Sequence, residues 1–317
     1  MSKGKIDWRL TAMLLIFSML CPMILEVAAQ ANISESPFGS WQPPKDFVDP
    51  VTLKIQDFKA KGLNEEQITA ELEKTGMGWY PETGATWIGR TLTPEELAEM
   101  PSKSSAKATS DENTITSYKK ITSAWRTWDP DWTGVATMMI SGSMDVQEGG
   151  TTSQFLCTQF GSLSGEVDHI ETVLRHDLYG PYVYYTWDND EGPSGWLRYG
   201  TKNTSITHAD TYVIMMRGTQ DAYGWIYDVW IEYEWVRSGH LDNLYNRAGF
   251  QKEVMTNSGI FTDDASRAHF MPNWLHTGAG WNLWRTHDHW TNTEPPLREY
   301  LYANPYVGYG WMTWVQN

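Results

Sequence analysis

The middle of the chain contains QFLCTQF at 154–160, IETVLR at 170–175 and YVYYTW at 182–187. These runs are rich in aromatic and β-branched residues, which favour the pleated surface of a sheet. Glycine, aspartate, asparagine and proline separate them and mark turns. The same pattern continues without a long helical segment from about Tyr118 onward. It predicts a mainly β domain at 118–317, a two-layer antiparallel β-sandwich or jelly roll.

The segment ahead of this β-rich region has a different composition. Residues 51–58 and 65–74 are typical of helices, and Asn64 and Gln67 fit a capping box at the start of the second. A polar linker at 101–117 follows, beginning with PSKSSAKATSD. The sequence therefore predicts a small helical unit at 32–100, joined by this linker to the sandwich.

Residues 1–31 have the features of a secretory signal peptide. Basic residues precede a mostly apolar run at 10–25, and AQA at 29–31 forms a small-x-small cleavage site. An uncleaved membrane anchor is the alternative, but the apolar run is short for a bilayer span and Pro22 interrupts it. We expect a secreted, extracellular protein with no stable membrane association after signal cleavage.

Charge and cysteine content limit the partners and the chemistry. The formal net charge of −15 argues against nucleic acid as a partner, because a phosphate backbone requires a basic surface. The 18 tryptophans and 16 tyrosines suit a sugar groove as well as a peptide groove. Cys157 is alone in the mature chain, so we expect a small core residue and no intrachain disulfide. We expect a monomer.

Two glutamates lie in otherwise apolar strand contexts. Glu171 lies within VDHIETVL and Glu253 within AGFQKEVM. A carboxylate on a strand either faces solvent or is buried for a reason, and composition alone favours a surface residue. Glu232 and Glu234 alternate with large apolar residues, which is typical of a half-buried strand with both acids facing outward.

Histidines offer one possible metal site. His287 and His289 are two apart and would share one face of a strand, with His276 nearby. No third ligand has a recognisable spacing, so a solvated turn is the preferred interpretation and no metal is predicted. The chain also lacks His-Glu-x-x-His, Cys-x-x-Cys, Gly-x-Ser-x-Gly and a phosphate-binding loop.

Two blocks of sequence resemble a known family in the same order. The matching elements are Ser153-Gln154-Phe155, Ile170-Glu171, Asp177-Leu178-Tyr179-Gly180 and Tyr185-Thr186-Trp187-Asp188, followed by Glu253-Val254, Ser258-Gly259-Ile260-Phe261 and Ala268-His269-Phe270. In these elements the chain resembles the neprosin family of glutamic peptidases. Each block keeps the glutamate that the family uses in catalysis, Glu171 in the first and Glu253 in the second.

The resemblance implies a mechanism. Glu171 and Glu253 would lie on neighbouring strands of one concave face. If two carboxyl groups lie close together, repulsion between their negative charges opposes the ionisation of both. They would therefore share one proton. One would activate water, and the other would polarise the carbonyl and protonate the leaving amine, with the two roles left open. The resemblance therefore implies an acid-acting endopeptidase with a polypeptide substrate and no metal or organic cofactor.

The resemblance also implies a groove and a means of control. Candidate groove residues are Gln154, Tyr184, Tyr185 and Trp187, with core packing as the alternative for the aromatic side chains. The helical unit at 32–100 matches an activation peptide in position and kind, so the protein would be made as a zymogen. Acidic residues on this unit would lose their charged contacts on protonation and release it; they are Glu65, Glu66, Glu71 and Glu73.

Two other interpretations stay open. A non-catalytic extracellular β-sandwich that binds glycan or cell-surface partners would account for the aromatic excess. Asn-x-Ser/Thr sequons at Asn32 and Asn203 also suit such a protein. A peptidase fold that has lost its activity and serves in binding is the third interpretation.

Overall fold

The computed structural model describes residues 41, 44, 46–101, 119–141, 152–161, 168–177, 182–188, 195–202, 210–242, 247–256, 265–284, 288–293, 298–304 and 310–316. Of the strands at 119–128 and after 284, only the backbone is described. The predicted signal peptide and nearly all of the predicted linker lie outside these residues. Residues 46–317 form one compact unit.

The leader, as residues 46–101 are called here, contains short helices and short strands. Its elements are α1 (Pro50–Ala60), α2 (Glu65–Glu73), β1 (Met77–Trp79), β2 (Thr86–Ile88), β3 (Arg90–Thr91) and α3 (Pro94–Ala98). Capping fixes the helix starts: Asn64 and Gln67 exchange side-chain and backbone hydrogen bonds, and Thr93 and Glu96 do the same. The predicted helices are confirmed, and among the described residues no helix is long and apolar enough to cross a membrane.

The rest of the described chain forms strands. They are β4 (Lys119–Trp128), β5 (Trp132–Ser141), β6 (Thr152–Gly161), β7 (His169–Asp177), β8 (Tyr182–Asp188), β9 (Trp196–Lys202), β10 (Asp210–Gln220), β11 (Trp225–Ile231), β12 (Glu234–Leu241), β13 (Arg247–Thr256), β14 (Ala265–Thr277), β15 (Gly280–Leu283), β16 (Asp288–Thr293), β17 (Arg298–Asn304) and β18 (Gly310–Gln316).

These strands form two antiparallel sheets. The first sheet has the order β1-β2-β12-β11-β10-β5-β14-β18-β17, with β15 paired to β14. The second sheet has the order β16-β4-β13-β6-β7-β8-β9-β3. The predicted two-layer antiparallel sandwich is confirmed. The leader contributes β1 and β2 to one edge of the first sheet and β3 to one edge of the second.

One hydrophobic core lies between the sheets. Its larger members include Leu156, Phe160, Leu174 and Tyr184 from the second sheet, and Tyr212, Tyr227, Val229 and Phe270 from the first. Successive side chains on a strand point to opposite faces. Alternate residues of β6, β7 and β8 therefore enter this core, and the residues between them line the other face of the second sheet.

A tight turn replaces part of a predicted strand. The sequence predicts one strand through Glu232 and Glu234, but β11 ends at Ile231 and β12 begins at Glu234. Glu232 and Tyr233 both have positive φ, at 53° and 65°. Two-residue turns of this kind usually contain asparagine or glycine. Glu232 and Tyr233 are neither, so the sequence did not indicate a turn here. The prediction that Glu232 and Glu234 alternate on a single strand is therefore wrong.

Candidate active site

The outer face, the face of the second sheet directed away from the core, carries both predicted acids. The register places Gln159, Glu171 and Trp187 in one row across β6, β7 and β8. Directly opposed residues of antiparallel strands share a face. The same reasoning adds the remaining members of the outer face, which include Phe155, Cys157, Val173, Arg175, Val183, Tyr185, Gln251 and Glu253.

Both glutamates are buried, but their strands are not neighbours. Glu171 on β7 is 1% exposed and Glu253 on β13 is 2% exposed. β6 lies between these strands, so the expectation of neighbouring strands is wrong. Glu253 is opposite Phe155 and Glu171 is opposite Gln159. This offset of two strands and four residues separates the two backbones by roughly 16 Å, so other side chains must bridge the carboxyl groups.

Two glutamine side chains connect the acids. The Gln159 Nε2 donates to Glu171 Oε1 at 2.6 Å and to Gln251 Oε1 at 2.7 Å. The Gln251 Nε2 in turn donates to Glu253 Oε1 at 2.5 Å. Both amides are buried. The described contacts therefore form one continuous hydrogen-bonded path from Glu171 to Glu253.

Sequence reasoning missed both glutamines. Gln251 is two residues before Glu253, so the period of a strand already predicted a shared face. Gln159 could have been noticed as a long polar side chain next to Phe160 in the run QFLCTQF. Neither signal identifies a chemical role, because a neutral amide on a strand is usually a surface residue.

His169 borders the site on the side of Glu171. Its Nε2 lies 3.2 Å from Glu171 Oε1, and its ring lies 5.0 Å from the ring of Trp187, centroid to centroid. The His169 side chain is 19% exposed, whereas that of Glu171 is 2% exposed. The imidazole is thus the more solvent-accessible member of this pair. Sequence reasoning did not single it out.

The candidate groove residues divide between the two faces. Tyr185 and Trp187 lie on the outer face with Glu171. Gln154 and Tyr184 instead enter the core: Gln154 Nε2 donates to Ser141 Oγ at 2.9 Å, and Tyr184 Oη donates to Asp210 Oδ2 at 2.8 Å. Burial, followed by this hydrogen bond, raises the pKa of Tyr184 above its usual range. The groove prediction is therefore corrected for Gln154 and Tyr184, because strand alternation turns them inward.

The possible metal site receives no structural support from the described side chains. Within the described part of the chain, no group of three histidine, cysteine, aspartate or glutamate side chains is arranged to hold a metal ion. His276 has Thr133 Oγ1 2.7 Å from its Nδ1, and burial lowers its pKa. His287 lies outside the described residues, as does the side chain of His289.

The leader packs on the outer face. An apolar cluster joins Leu92, Leu97 and Met100 of the leader to residues of the second sheet, namely Phe155, Cys157, Val173, Val183, Tyr185, Trp187 and Trp196. β3 pairs with β9, with Arg90 opposite Arg198. Gly89 has φ +97°, and a Cβ there would lie 2.2 Å from the Arg198 carbonyl oxygen. Only glycine fits this close backbone approach.

Ion pairs reinforce this packing. The Glu96 carboxylate accepts a hydrogen bond from Arg198 Nη1 at 2.5 Å. It also accepts one from each Nη atom of Arg90, both at 2.7 Å. Chiefly through the Arg90 hydrogen bonds, the pKa of Glu96 is lowered to about 2. Arg175 Nη2 donates to Glu99 Oε2 at 2.9 Å. Leader carboxylates therefore meet cations that belong to the second sheet.

Comparisons with known proteins yield remote structural similarity. No protein-family model matches this sequence, and no curated protein matches it. Structural neighbours include scytalido-glutamic peptidase with a peptide-based transition state analog, at TM-score 0.45 and 7% identity. They also include the same peptidase with a transition state analog inhibitor, and SCP-B of the Eqolisin family with the tripeptide Ala-Ile-His, both at TM-score 0.41 and 9% identity. Each similarity covers 62% of this chain and 98% of the other. The function is therefore inferred from the site itself.

Proposed function

We propose that this protein is a secreted, acid-acting endopeptidase in which Glu171 and Glu253 activate water for peptide-bond hydrolysis. One observation carries the proposal: the sheet face that bears both acids already binds a polypeptide, the leader of the same chain. The leader adds a strand beside β9 and inserts apolar side chains between the aromatic residues of that face. Strand addition with side-chain pockets is a general mode of peptide recognition.

The two acids differ in their neighbours, which suggests their roles. The described contacts of Glu171 Oε1 include two nitrogen neighbours, the Gln159 amide at 2.6 Å and the His169 ring at 3.2 Å, as suits a carboxylate that accepts a proton. We therefore assign the general base to Glu171 and the general acid to Glu253. Glu171 would take a proton from the attacking water, while Glu253 would protonate the leaving amine. The path through Gln159 and Gln251 would hold both carboxyl groups in position.

We further propose that the leader inhibits the enzyme until the linker at 101–117 is cut. Its apolar side chains cover Tyr185, Trp187 and Trp196, which would form a wall of the substrate groove. Among the described residues, the ion pairs that join the leader to the sheets are Arg198–Glu96, Arg175–Glu99 and Arg217–Asp49. The acid-sensitive contacts are therefore assigned to these groups in place of the glutamates of α2.

The Glu96 contact gives a testable pH dependence. The pKa of Glu96 is lowered chiefly by Arg90, which is also in the leader, so ionised Glu96 stabilises the leader around α3 and, through Arg198, its attachment to β9. This contribution is present above the ordinary pKa of 4.5 and is lost as pH falls toward about 2. We expect amide protection of residues 94–98 in the full chain to persist at pH 4 and fall near pH 2. Glu96→Gln should lower that protection about two- to fivefold at pH 6, as expected for a partly exposed ion pair.

Hydrogen-exchange mass spectrometry in the inactive Glu171→Gln background measures this effect. Glu95→Gln is the matched control, because Glu95 lies on the same turn and pairs with no cation of the second sheet in the described contacts. Unchanged protection in Glu96→Gln, or an equal loss in Glu95→Gln, would contradict the assigned role of Glu96.

A second function is suggested by two acids on a face that carries aromatic side chains. Glycoside hydrolases use a pair of carboxyl groups as acid and base, and aromatic side chains bind sugar rings. Glu171 and Glu253 lie on one face, with Trp187 directly opposite Glu171. The bound leader favours the peptidase, since it is a polypeptide.

Substrate choice across pH distinguishes the two functions. The full-length protein, preincubated at pH 4 so that the leader can be removed, is offered denatured protein or soluble β-glucan from pH 2 to 8. We expect hydrolysis of the protein alone, with activity that falls as pH rises, because the proposed mechanism needs one of the two carboxyl groups protonated. Cleavage of the glucan alone would support the glycosidase, and protein hydrolysis that rises toward pH 8 would contradict a carboxylic acid mechanism.

A further inference from the structure

Apart from Glu171 and Glu253, the outer face contains the guanidinium of Arg175. One carboxylate, that of Asp177, fixes its position, and a second, that of Glu99, binds its other edge. We propose that Arg175 anchors a subsite for an acidic side chain of the polypeptide substrate, and that Glu99 of the leader fills this subsite in the full chain. This inference rests on the proposed function, because it assigns the substrate class of the same site.

Arg175 is oriented before any ligand arrives. Its side chain is 9% exposed, and its guanidinium carbon lies 5.7 Å from the centre of the Phe155 ring. Its Nε donates to Asp177 Oδ1 at 2.8 Å, and Asp177 is itself held by Ser153 Oγ at 2.6 Å. Burial opposes the charge, but the contacts with Asp177, followed by the Glu99 hydrogen bond and the charge effect of Tyr185, outweigh it, so the net pKa of Arg175 is raised.

The other edge of the guanidinium is directed at the leader. Its Nη2 donates to Glu99 Oε2 at 2.9 Å, and its Nη1 lies 3.7 Å from Met100 Sδ. The Glu99 side chain is 60% exposed, whereas the arginine is nearly enclosed. Arg175 and its partner Asp177 both lie on β7, so the basic side of this contact belongs to the sheet, and the leader supplies an exposed carboxylate with an apolar neighbour. A substrate with an acidic residue beside an apolar one would reproduce both contacts.

The register relates this subsite to the catalytic pair. Glu253, Phe155 and Arg175 lie in one row across β13, β6 and β7. Two strand spacings separate the backbones of Glu253 and Arg175 by about 10 Å, which an extended peptide covers in about three residues. We therefore expect the acidic residue about three positions from the scissile bond. Arg198 is a weaker candidate, because Arg90 of the leader shares its carboxylate partner.

Paired peptides test the preference. Peptides that the activated full-length protein cleaves from a denatured protein are resynthesised with Glu or Gln at each of the three positions on either side of the cleaved bond. We expect kcat/KM to favour Glu over Gln about tenfold at one position, as for a hydrogen bond between charged groups. Arg175→Gln should bring this ratio close to one. Arg247→Gln changes a half-buried arginine in the row of Gly161 and His169, six residues along the strands from the row of Arg175, and should leave the ratio unchanged.

A double-mutant cycle supplies a readout that needs no hydrolysis. In the Glu171→Gln background, Glu99→Gln should lower amide protection of residues 92–100, but should have no further effect once Arg175→Gln is present. No hydrolysis of any peptide would contradict the peptidase. Hydrolysis without a Glu preference, a preference that Arg175→Gln retains, or independent effects in the cycle would contradict the subsite alone.

Discussion

We expect Glu171→Gln to lower kcat for peptide hydrolysis at acidic pH by at least about 100-fold, and Glu253→Gln to do the same, because in the proposed mechanism each removes one partner in proton transfer. Glutamine keeps the size and most of the hydrogen bonds of glutamate but cannot accept or release the catalytic proton. The effect should fall on kcat more than on KM, since the described contacts of the leader on this face are made with other residues, among them Tyr185, Trp187 and Arg198. Steady-state kinetics at pH 4 with a denatured protein or a derived peptide measures both constants.

The matched control for this pair is Glu234→Gln. Glu234 is an exposed glutamate at the start of β12 in the first sheet, and it should tolerate the change. Urea unfolding of each variant separates a lost catalytic group from a lost fold. Activity of Glu171→Gln or Glu253→Gln within about threefold of the unaltered protein would remove that residue from the mechanism.

Arg237→Ala lowers the free energy of unfolding by about 3–5 kcal/mol, because it leaves a buried carboxylate without its cation. Arg237 and Asp188 are both fully buried, with Nη2 3.9 Å from Asp188 Oδ2. Arg237 also donates from Nη1 to Thr186 Oγ1 at 2.9 Å, and Tyr227 Oη donates to Asp188 Oδ2 at 2.6 Å. This network ties β8 of the second sheet to β11 and β12 of the first. It supports the strand that carries Trp187.

Equilibrium urea unfolding at pH 7 measures the loss, and Lys61→Ala provides the contrast. Lys61 pairs with Asp57 at 2.5 Å, but both side chains are more than half exposed, so we expect a change below about 1 kcal/mol. If Arg237→Ala does not fold, Arg237→Lys should fold with an intermediate loss. Equal stability of Arg237→Ala and Lys61→Ala would show that the buried network contributes little.

The sequence predicted those features that depend on local pattern. The aromatic and β-branched content of YVYYTW and its neighbours, with turn residues between the runs, predicted the sandwich, because these residues pack well on a pleated surface. The capping box of Asn64 and Gln67 was also predictable, since both its hydrogen bonds span three residues. Glu171 and Glu253 were named through a family resemblance, and the fold brings both to one face.

Features that depend on long-range pairing were not predictable. The placement of β6 between β13 and β7 follows from which strands meet, and no local signal encodes it. The link through Gln159 and Gln251 depends on that placement. Gln154 was misplaced for a related reason: a polar residue on a strand usually faces away from the core, yet here Ser141 of the opposite sheet accepts its hydrogen bond.

The most direct test of the central claim is mass spectrometry of new peptide termini. Denatured protein is incubated at pH 4 with the full-length protein or with a Glu171→Gln/Glu253→Gln double variant of equal stability. We predict new internal termini with the unaltered protein and none above background with the double variant. The same termini in both samples, or none in either after leader removal, would contradict the assignment of this site as a glutamate-based peptidase.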